Sequence, residues 1–516
     1  MTGVGGLANW RALVKRVAAL SVVVVFCSAH VGSPDAWFEG NAGPYHVTIQ
    51  VATPGVVPGV AKVFTRVEGA GVQQVTVQAN RFDALAAAPP PELAEPVAGD
   101  AGLYAASVWV MAGGSTSFTV AVSGSAGAGK AVVPVVVVAD RRLALDPRLG
   151  AGLAAVGVFL VIGLITIIGA AVRESVVPPG AEPDARRRWK ARLAMGISTA
   201  VLALALFGGS RWWNVEDRRF NESIYRPLAA TAAIEASGAA KVLDLRISDS
   251  AWVKRGDTAW LNSRRTSRWS PLIPDHGKLI HVFMIREPDM LAFAHLHPST
   301  TDSVSFPAVL PELPAGRYRV YGDIVHESGF TQTLSTSVEL PAATGKQQPG
   351  DPDDAAFVAS ASPNAHEAKL ADGSTMALVG TGGFVVGRAA PLRFTVVDAN
   401  GKPLTLEPYI GMAGHAVITR DDAAVFVHLH PAGTISMASQ MALVMRQPGD
   451  SIAGTLSKRL QATDAGHPAP PPLTTGTISF PYAFPKPGAY HMWVQVKHAG
   501  RILTGEFAFQ VKPGAG

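Results

Sequence analysis

The stretch PDHGKLIHVFMIREPDMLAFAHLHP, from Pro274 to Pro298, decides the fold because it recurs later in the chain. The second copy, from Pro408 to Pro431, reads PYIGMAGHAVITRDDAAVFVHLHP. In both copies an apolar run follows a His and leads through a turn to His-Leu-His-Pro. Each copy is followed by Phe-Pro, by Gly-x-Tyr and by one more His. The pattern predicts two related β domains, each built around a His-bearing hairpin.

The spacing within each copy predicts which side of the hairpin the imidazoles occupy. Folding the first copy about Pro288 puts His281 directly opposite His295, and a two-residue loop in the second puts His415 opposite His428. Opposed residues share a face, with Cβ atoms about 5 Å apart, and residues i and i+2 of a strand share a face as well. The sequence therefore predicts two co-facial triads that are candidate metal ligands, His281 with His295 and His297, and His415 with His428 and His430.

A fourth His follows each hairpin. His326 ends the strand YRVYGDIVH and His498 ends YHMWVQVKH, and both strands carry apolar residues on the same face as the His. An apolar face that ends in His brings an imidazole to the edge of a core. We therefore expect His326 to complete the first site and His498 to complete the second.

The first 29 residues have the three parts of a secretory signal peptide: a basic start, the apolar run VAALSVVVVF and a Cys-Ser-Ala end. Cleavage after Ala29 makes His30 the first residue, and an N-terminal His offers its amine and its imidazole to Cu(II). Asp35 and His46 are candidate further ligands of that site. The alternative is an uncleaved membrane anchor.

Composition bounds the class of protein. The chain has 516 residues with 52 Gly, 38 Pro and 16% charged residues, which suits several units made of short strands and turns. The net charge of +5 is small, and no basic stripe interleaves with aromatics, so nucleic acid is not an expected partner. The single cysteine, Cys27, excludes disulfides within the chain and zinc sites made of several thiolates.

Two uncharged apolar runs interrupt the β pattern. Leu149 to Val172 is long enough to cross a bilayer core of about 30 Å, and Leu193 to Ser210 is shorter and precedes an interfacial Trp pair. The segment between them is rich in Arg and Lys, so the positive-inside rule predicts that it is cytoplasmic. The large segments on either side are then on the extracytoplasmic, periplasmic face of the inner (cytoplasmic) membrane.

The predicted fold is mainly β, with three extracytoplasmic Ig-like or cupredoxin-like β-sandwich domains and a two-helix transmembrane hairpin between the first and the second. The predicted order is a signal peptide (1–29), a β-sandwich (30–147), a transmembrane helix (149–172), a cytoplasmic loop (173–192), a transmembrane helix (193–210), a connector (211–240), a β-sandwich with the first His hairpin (241–341), a linker (342–362) and a β-sandwich with the second (363–513).

The motif His-x-Val-x-x-Arg (from His415 to Arg420), followed by Phe-x-His-Leu-His-Pro and Pro-Gly-x-Tyr, resembles predicted secreted bacterial proteins described as heavy-metal-binding. The N-terminal segment HVGSPDAWFEGNAGPYHVTIQV resembles YtkA/FixH-type extracytoplasmic domains, which are related in fold to CopC copper-binding sandwiches. The resemblance implies β-sandwich domains and copper handling outside the cytoplasm, and it implies no reaction. The chain departs from a CopC-like pattern because its His clusters lie on two downstream domains.

Three classes of function fit the repeated His residues. Imidazole suits copper, zinc and nickel, and the nearby Met412 and Met492 favour copper. We therefore expect an integral membrane protein that binds copper for acquisition, delivery or tolerance, with another periplasmic copper protein as a possible partner. One alternative is an Ig-like surface interaction or scaffold protein with structural His.

The other alternative is a His-ligated metalloenzyme, in which three His and an open position activate water on a metal. That chemistry needs a general base, but Glu327 is replaced by Ala499 in the second copy and Asp323 by Gln495. No G-x-S-x-G, P-loop or H-E-x-x-H motif is present. We therefore expect no enzymatic activity.

Overall fold

The computed structural model describes residues 30–31, 35–82, 88–178, 180–237, 240–253, 270–300, 302–342, 350–360, 363–380, 383–447, 450, 454–464 and 472–514. The predicted signal peptide therefore lies outside the described residues. The chain forms two compact units. A β unit contains the described residues up to Thr53, Val60–Val137 and those from Pro227 onward, and a helical unit contains Pro54–Gly59 and Val138–Arg226.

The N-terminal part of the β unit forms two sheets from strands whose inward residues alternate with outward ones. In Tyr45–Ala52, for example, every second side chain is buried. The strands are β1 (His30–Val31), β2 (Asp35–Ala42), β3 (Tyr45–Ala52), β4 (Gly59–Glu68), β5 (Val72–Arg81), β6 (Glu92–Leu93), β7 (Glu95–Pro96), β8 (Leu103–Val110), β9 (Gly114–Gly124) and β10 (Gly127–Val137). One sheet has the order β2-β3-β4-β8-β7 and the other has the order β10-β9-β5-β6.

The helical unit contains α1 (Pro147–Glu174) and α2 (Ala185–Ser223). Both are long and apolar enough to cross a membrane, with mean hydropathies of 2.7 and 1.8 over their most apolar windows. Their apolar side chains are largely exposed, unlike those of a core helix in a soluble domain. The two helices touch where Gly169 leaves room for Met195. The helix α2 is longer than predicted at both ends. It begins just after Asp184, whose side chain accepts a hydrogen bond from the backbone N–H of Arg187, and it continues past the Trp pair to Ser223.

The first repeat follows as β11 (Ala230–Ser237), β12 (Ala240–Ile247), the short helix α3 (Ser250–Val253), β13 (Leu272–Ile273), β14 (Ile280–Arg286), β15 (Ala292–Leu296), β16 (Ser305–Val309), β17 (Gly316–His326), β18 (Thr331–Leu340) and β19 (Ala355–Val358). A sheet β11-β12-β16 lies against a sheet β13-β17-β14-β15-β19, in which β18 also pairs with β17. Two expectations need correction: β11 is a strand within the predicted connector, and β19 is a strand within the predicted linker, paired with β15.

The second repeat contains β20 (Glu367–Lys369), β21 (Thr375–Val379), β22 (Phe384–Val385), β23 (Ala390–Val397), β24 (His415–Arg420), β25 (Val425–Leu429), α4 (Met437–Val444), α5 (Thr455–Asp464), β26 (Thr477–Tyr482), β27 (Gly488–His498) and β28 (Arg501–Lys512). One sheet has the order β20-β21-β23-β26 and the other β1-β25-β24-β27-β28-β22. The edge strand β1 comes from the start of the chain and pairs in parallel with β25.

The hairpin registers differ from the predicted ones by two residues. In the first hairpin Phe283 pairs with His295, so His281 lies across from His297. In the second Val417 pairs with His428, so His415 lies across from His430. The loop of each hairpin is longer than the predicted turn. In the first hairpin the strands end at Arg286 and resume at Ala292, and in the second they end at Arg420 and resume at Val425. A shift of two residues keeps every side chain on the same face, so the predicted faces stand.

Both faces of each His-bearing sheet are buried, which explains why their strands are apolar throughout. Even-numbered residues such as Val282 and Met284 pack into the core of the first repeat. The opposite face packs against the same face of the second repeat through a mixed apolar cluster. Its members are Phe283, Ile285, Met290, Phe293 and Tyr321 from the first repeat and Val417, Phe426 and Trp493 from the second. The His triads lie on this inter-repeat face.

Candidate metal centre

The first triad brings three ring nitrogens together. His295 Nε2 lies 3.2 Å from His281 Nδ1 and 3.1 Å from His297 Nε2. His281 begins β14, His295 lies on β15 and His297 directly follows that strand. All three side chains are buried. The three His form a group that could hold a metal ion.

The second triad repeats this arrangement. His415 Nδ1 lies 3.1 Å from His428 Nε2, and the ring of His430 is centred 4.4 Å from that of His428. The same nitrogen of the equivalent residue points inward in each case: Nδ1 from the first His of the copy and Nε2 from the central His of the other strand. This triad is buried too and forms a second group that could hold a metal ion.

The outward nitrogens of the first triad each face an oxygen that can only accept. His281 Nε2 lies 3.3 Å from the carbonyl oxygen of Asp275, and His297 Nδ1 lies 3.1 Å from Asp354 Oδ1. His295 Nδ1 lies 2.9 Å from Gln495 Oε1, whose amide nitrogen is turned to Thr504. The outward nitrogens are therefore the protonated ones.

The outward nitrogens of the second triad have matching partners. His415 Nε2 lies 3.1 Å from the carbonyl oxygen of Tyr409, and His430 Nδ1 lies 3.0 Å from that of Ile435. His428 Nδ1 lies 3.4 Å from Asp323 Oδ2. Such outer partners fix the tautomer and the ring orientation of metal-ligating His.

These tautomers leave only lone pairs at the centre of each triad. Nitrogens about 3.1 Å apart that both lack a proton repel each other and cannot share a hydrogen bond. Metal–nitrogen bonds of about 2.0–2.1 Å would place neighbouring ligand nitrogens at roughly this separation. A cation at the centre of each triad therefore satisfies groups that nothing else in the described protein satisfies.

Burial keeps most of these imidazoles neutral. It lowers the pKa of His281, His295, His415 and His428 well below the usual value. The pKa of His430 is lowered by burial to about 4. Neutral imidazole is the form that binds a metal, so the site needs little deprotonation near neutral pH.

The structure does not bring His326 or His498 to the triads. His326 lies on β17 on the same face as Val320 and Ile324, which is the core face, whereas His281 is on the opposite face. Its ring contacts Trp252 edge-on, and its Nδ1 faces the carbonyl oxygen of Ser270. His498 is half-buried at the end of β27, and its Nδ1 faces the carbonyl oxygen of Thr405. Strand parity, which we applied within each hairpin but not across to the next strand, explains both displacements.

The predicted N-terminal site is not assembled by the described side chains. His46 on β3 pairs with Asn41 on β2, and its ring faces Asn41 and Glu39. Asp35 lies at the other end of β2, about 20 Å away at 3.3 Å per residue, and accepts a hydrogen bond from Gln50. The backbone of His30 pairs with Val425 in the second repeat.

Sequence reasoning missed the outer partners of the triads. Asp323 and Gln495 pair in register with His281 and His415, so the strand alignment of the two copies contained that signal. Asp354 follows a Pro- and Gly-rich stretch with no periodicity and gave none. A third group that could hold a metal ion contains two carboxylates, Asp351 and Asp354, and shares His297 with the first triad. In this group Asp351 is already paired, because Lys278 Nζ lies 2.6 Å from Asp351 Oδ1.

Comparison with known proteins gives limited guidance. Residues 368–513 match a family described as a domain of unknown function, DUF8832, and no curated protein matches the chain. Matches to solved structures include dimeric latent PorU from Porphyromonas gingivalis (8% identity, 93% of this chain and 34% of that one, TM-score 0.13). They also include a putative membrane anchored protein from Corynebacterium diphtheriae (9% identity, 93% and 96% covered, TM-score 0.14) and an ICAM-5 ectodomain fragment (8% identity, 91% and 77% covered, TM-score 0.15). Similarities this weak carry no argument about function.

Proposed function

We propose that this protein is a membrane-anchored copper-binding protein whose two His triads each hold one ion outside the cytoplasm. The observation that carries the proposal is the convergence of ring nitrogens, 3.1 to 3.2 Å apart, in each buried triad, while the opposite ring nitrogens face oxygen atoms. Structural His residues do not normally present lone pairs to one another, because buried polar groups are paired with donors or acceptors. This arrangement disfavours the reading of a scaffold with structural His.

Copper is the metal we favour, for acquisition, delivery or tolerance. Three imidazoles suit copper, zinc and nickel, and copper binds such nitrogen ligands more tightly than the other divalent first-row metals. The exposed apolar surfaces of α1 and α2 support membrane anchoring. The Arg- and Lys-rich start of α2 supports a cytoplasmic position for the turn between the helices, with both His repeats on the other side.

The test is elemental analysis of the full chain, purified in detergent without a His tag. We expect two copper equivalents per chain, reduced to about one in a His295→Ala, His297→Ala double variant. His366→Ala removes an exposed imidazole and is the matched control. His498→Ala separates the observed site from the predicted one and should also leave two equivalents. Copper content that is unchanged in the double variant would refute binding at the first triad.

A further inference from the structure

The two triads face each other across the contact between the repeats. Ring centroids within one triad are 4.4 to 5.4 Å apart. Across the contact, the rings of His281 and His428 are 5.4 Å apart and those of His295 and His415 are 5.9 Å apart. The imidazoles of different triads are therefore almost as close as those of the same triad.

We propose that the two triads form one dinuclear centre, in which two metal ions lie close enough to interact. Each repeat also supplies a residue that positions a His of the other repeat's triad. This inference rests on the proposed function, since it requires that each triad binds an ion. The dinuclear centre goes beyond the proposed function, because two independent mononuclear sites would satisfy the proposed function equally well.

The outer partners cross between the repeats in both directions. Gln495 of the second repeat holds His295 of the first, and Asp323 of the first repeat holds His428 of the second. Asp323 and Gln495 occupy equivalent positions, as do His295 and His428. Neither triad therefore has its complete set of outer partners unless the repeats are together.

Aromatic pairs next to the triads show the same reciprocity. Phe293 of the first repeat stacks on Trp493 of the second, with ring centroids 4.9 Å apart and planes 5° from parallel. The equivalent Phe426 stacks on Tyr321 of the first repeat at 3.8 Å. This buried contact, in which each repeat contributes an equivalent aromatic pair, fixes the distance between the triads. The two ion positions are thus preorganised as neighbours rather than brought together by the metal.

Carboxylates beside the triads compensate the charge of two neighbouring cations. Asp275 is buried, Asp354 is nearly so, and Asp323 is partly buried. Each carboxylate lies near an imidazole: Asp354 Oδ1 is 3.1 Å from His297 Nδ1, Asp323 Oδ2 is 3.4 Å from His428 Nδ1, and Asp275 Oδ1 is 3.5 Å from Nε2 of His276, which adjoins the second triad. Without such anions, two divalent ions in a buried site would repel each other strongly.

A seventh imidazole makes the centre asymmetric. The ring of His276 is centred 5.6 Å from that of His430 and 6.3 Å from that of His415. Among the described residues, Nε2 of His430 is buried without a hydrogen-bond partner, and Nε2 of His276 makes no hydrogen bond but lies 3.5 Å from Asp275 Oδ1. The equivalent position in the second repeat is Ile410, so that position gives the first triad no such neighbour. We assign His276 as a fourth imidazole for the ion of the second triad.

The deciding experiment is electron paramagnetic resonance of the metal-stripped full chain in detergent, titrated with Cu(II). At two bound equivalents we expect either an integrated signal well below two spins or a dipolar-broadened spectrum with a half-field transition. Two bound equivalents that give two full, undisturbed spins would overturn the dinuclear centre and leave the proposed function intact. Absence of stoichiometric copper binding would instead refute the proposed function.

A variant separates spin coupling from chemical reduction of the copper. His428→Ala with His430→Ala removes the second ion, and we expect the remaining single equivalent to give one full spin. If the single copper of this variant gave no paramagnetic resonance signal, then reduction of the copper would explain the loss of spins, and the coupled centre would be overturned. Near-ultraviolet circular dichroism of the metal-free variant checks that the inter-repeat aromatic contact is retained.

The role of His276 is tested with a matched pair of variants. In a background without the first ion (His295→Ala, His297→Ala), His276→Ala should weaken Cu(II) binding about tenfold or more, in the range seen for groups that shape metal sites. It should also reduce the number of nitrogens that couple to the copper by one. Ile410→Ala truncates the equivalent residue and should change neither. An unchanged nitrogen count in His276→Ala would remove His276 from the centre.

Discussion

The two triads present the same nitrogens to their centres but are held from behind by different parts of the chain. Behind the first, Asp354 accepts from both the backbone and the ring of His297 and comes from the segment before β19. Behind the second, the carbonyl oxygen of Ile435 takes that place, and the loop is held by β2 of the N-terminal region. The comparison shows that the inward geometry is set by the hairpin, whereas the support of each hairpin has been built separately.

The largest expected effect is the loss of stability of the metal-free protein in acid. Burial lowers the pKa of five imidazoles below 6.5, two in the first triad and all three in the second. The unfolded chain then binds more protons than the folded one, so stability is complete above pH 6.5 and falls as the pH drops towards 4. Burial raises the pKa of Asp323 and of Glu506 to about 7, which opposes this trend. A net of about three protons gives a slope of at most about 4 kcal/mol per pH unit.

Denaturant unfolding of the metal-free chain between pH 7.5 and 5 measures this slope. His430→Gln should reduce it by about one proton, and the exposed His366→Gln should leave it unchanged. A free energy of unfolding that does not vary over this range would show that the triads are already protonated in the folded protein.

The second prediction replaces the carboxylates that hold the triads from outside, and it compares the copper affinity of each triad separately. Asp354→Asn should weaken the first site about 10- to 100-fold, and Asp323→Asn should weaken the second by a similar factor. Asp323 belongs to the first repeat, so its effect on the ion of the second repeat distinguishes the crossed arrangement from two self-contained domains. The measurement is Cu(II) affinity in backgrounds that retain only one triad. An effect of Asp323→Asn on the first site alone would contradict the crossed arrangement.

The sequence predicted the triads because strand parity tolerates errors of two residues. Our hairpin registers were shifted, yet His281, His295 and His297 share a face in either register. The same parity rule places His326 on the other face of β17, and we missed this because the pairing of β17 with β14 was not known. Strand pairing between distant segments is set by tertiary contacts, which local patterns do not contain.

The sequence did not predict that the two triads are adjacent, for a related reason. Continuous apolar strands such as Val282 to Ile285 indicate burial on both faces, but they do not say what covers the second face. The covering element is the other repeat, and its approach depends on pairs such as Phe293 with Trp493. The segment that we predicted to be a linker supplies Asp354, and no local signal marks a Pro- and Gly-rich stretch as part of a site.

The smallest expected effect concerns the support of the second hairpin by the N-terminal region. The backbone N–H of Trp37 donates to Thr434 Oγ1 at 2.9 Å, and the N–H of Thr434 donates to the carbonyl oxygen of Trp37 at 3.0 Å. Thr434→Val removes only the first bond and should cost about 1 kcal/mol. Because the loop carries Ile435, the acceptor of His430, the second site should weaken by at most about fivefold, whereas the first site should not change.

Thr477→Val is the matched control, since that hydroxyl donates to the carbonyl oxygen of Thr475, two residues away, and to no other described residue. Thermal unfolding and Cu(II) affinity in the single-triad backgrounds provide the two readouts. If Thr434→Val weakens the first site as much as the second, then the N-terminal region stabilises the repeats as a whole rather than one hairpin. If it weakens only the second, then the two halves of the centre are anchored independently, and the asymmetry that begins with His276 extends to β2 of the N-terminal region.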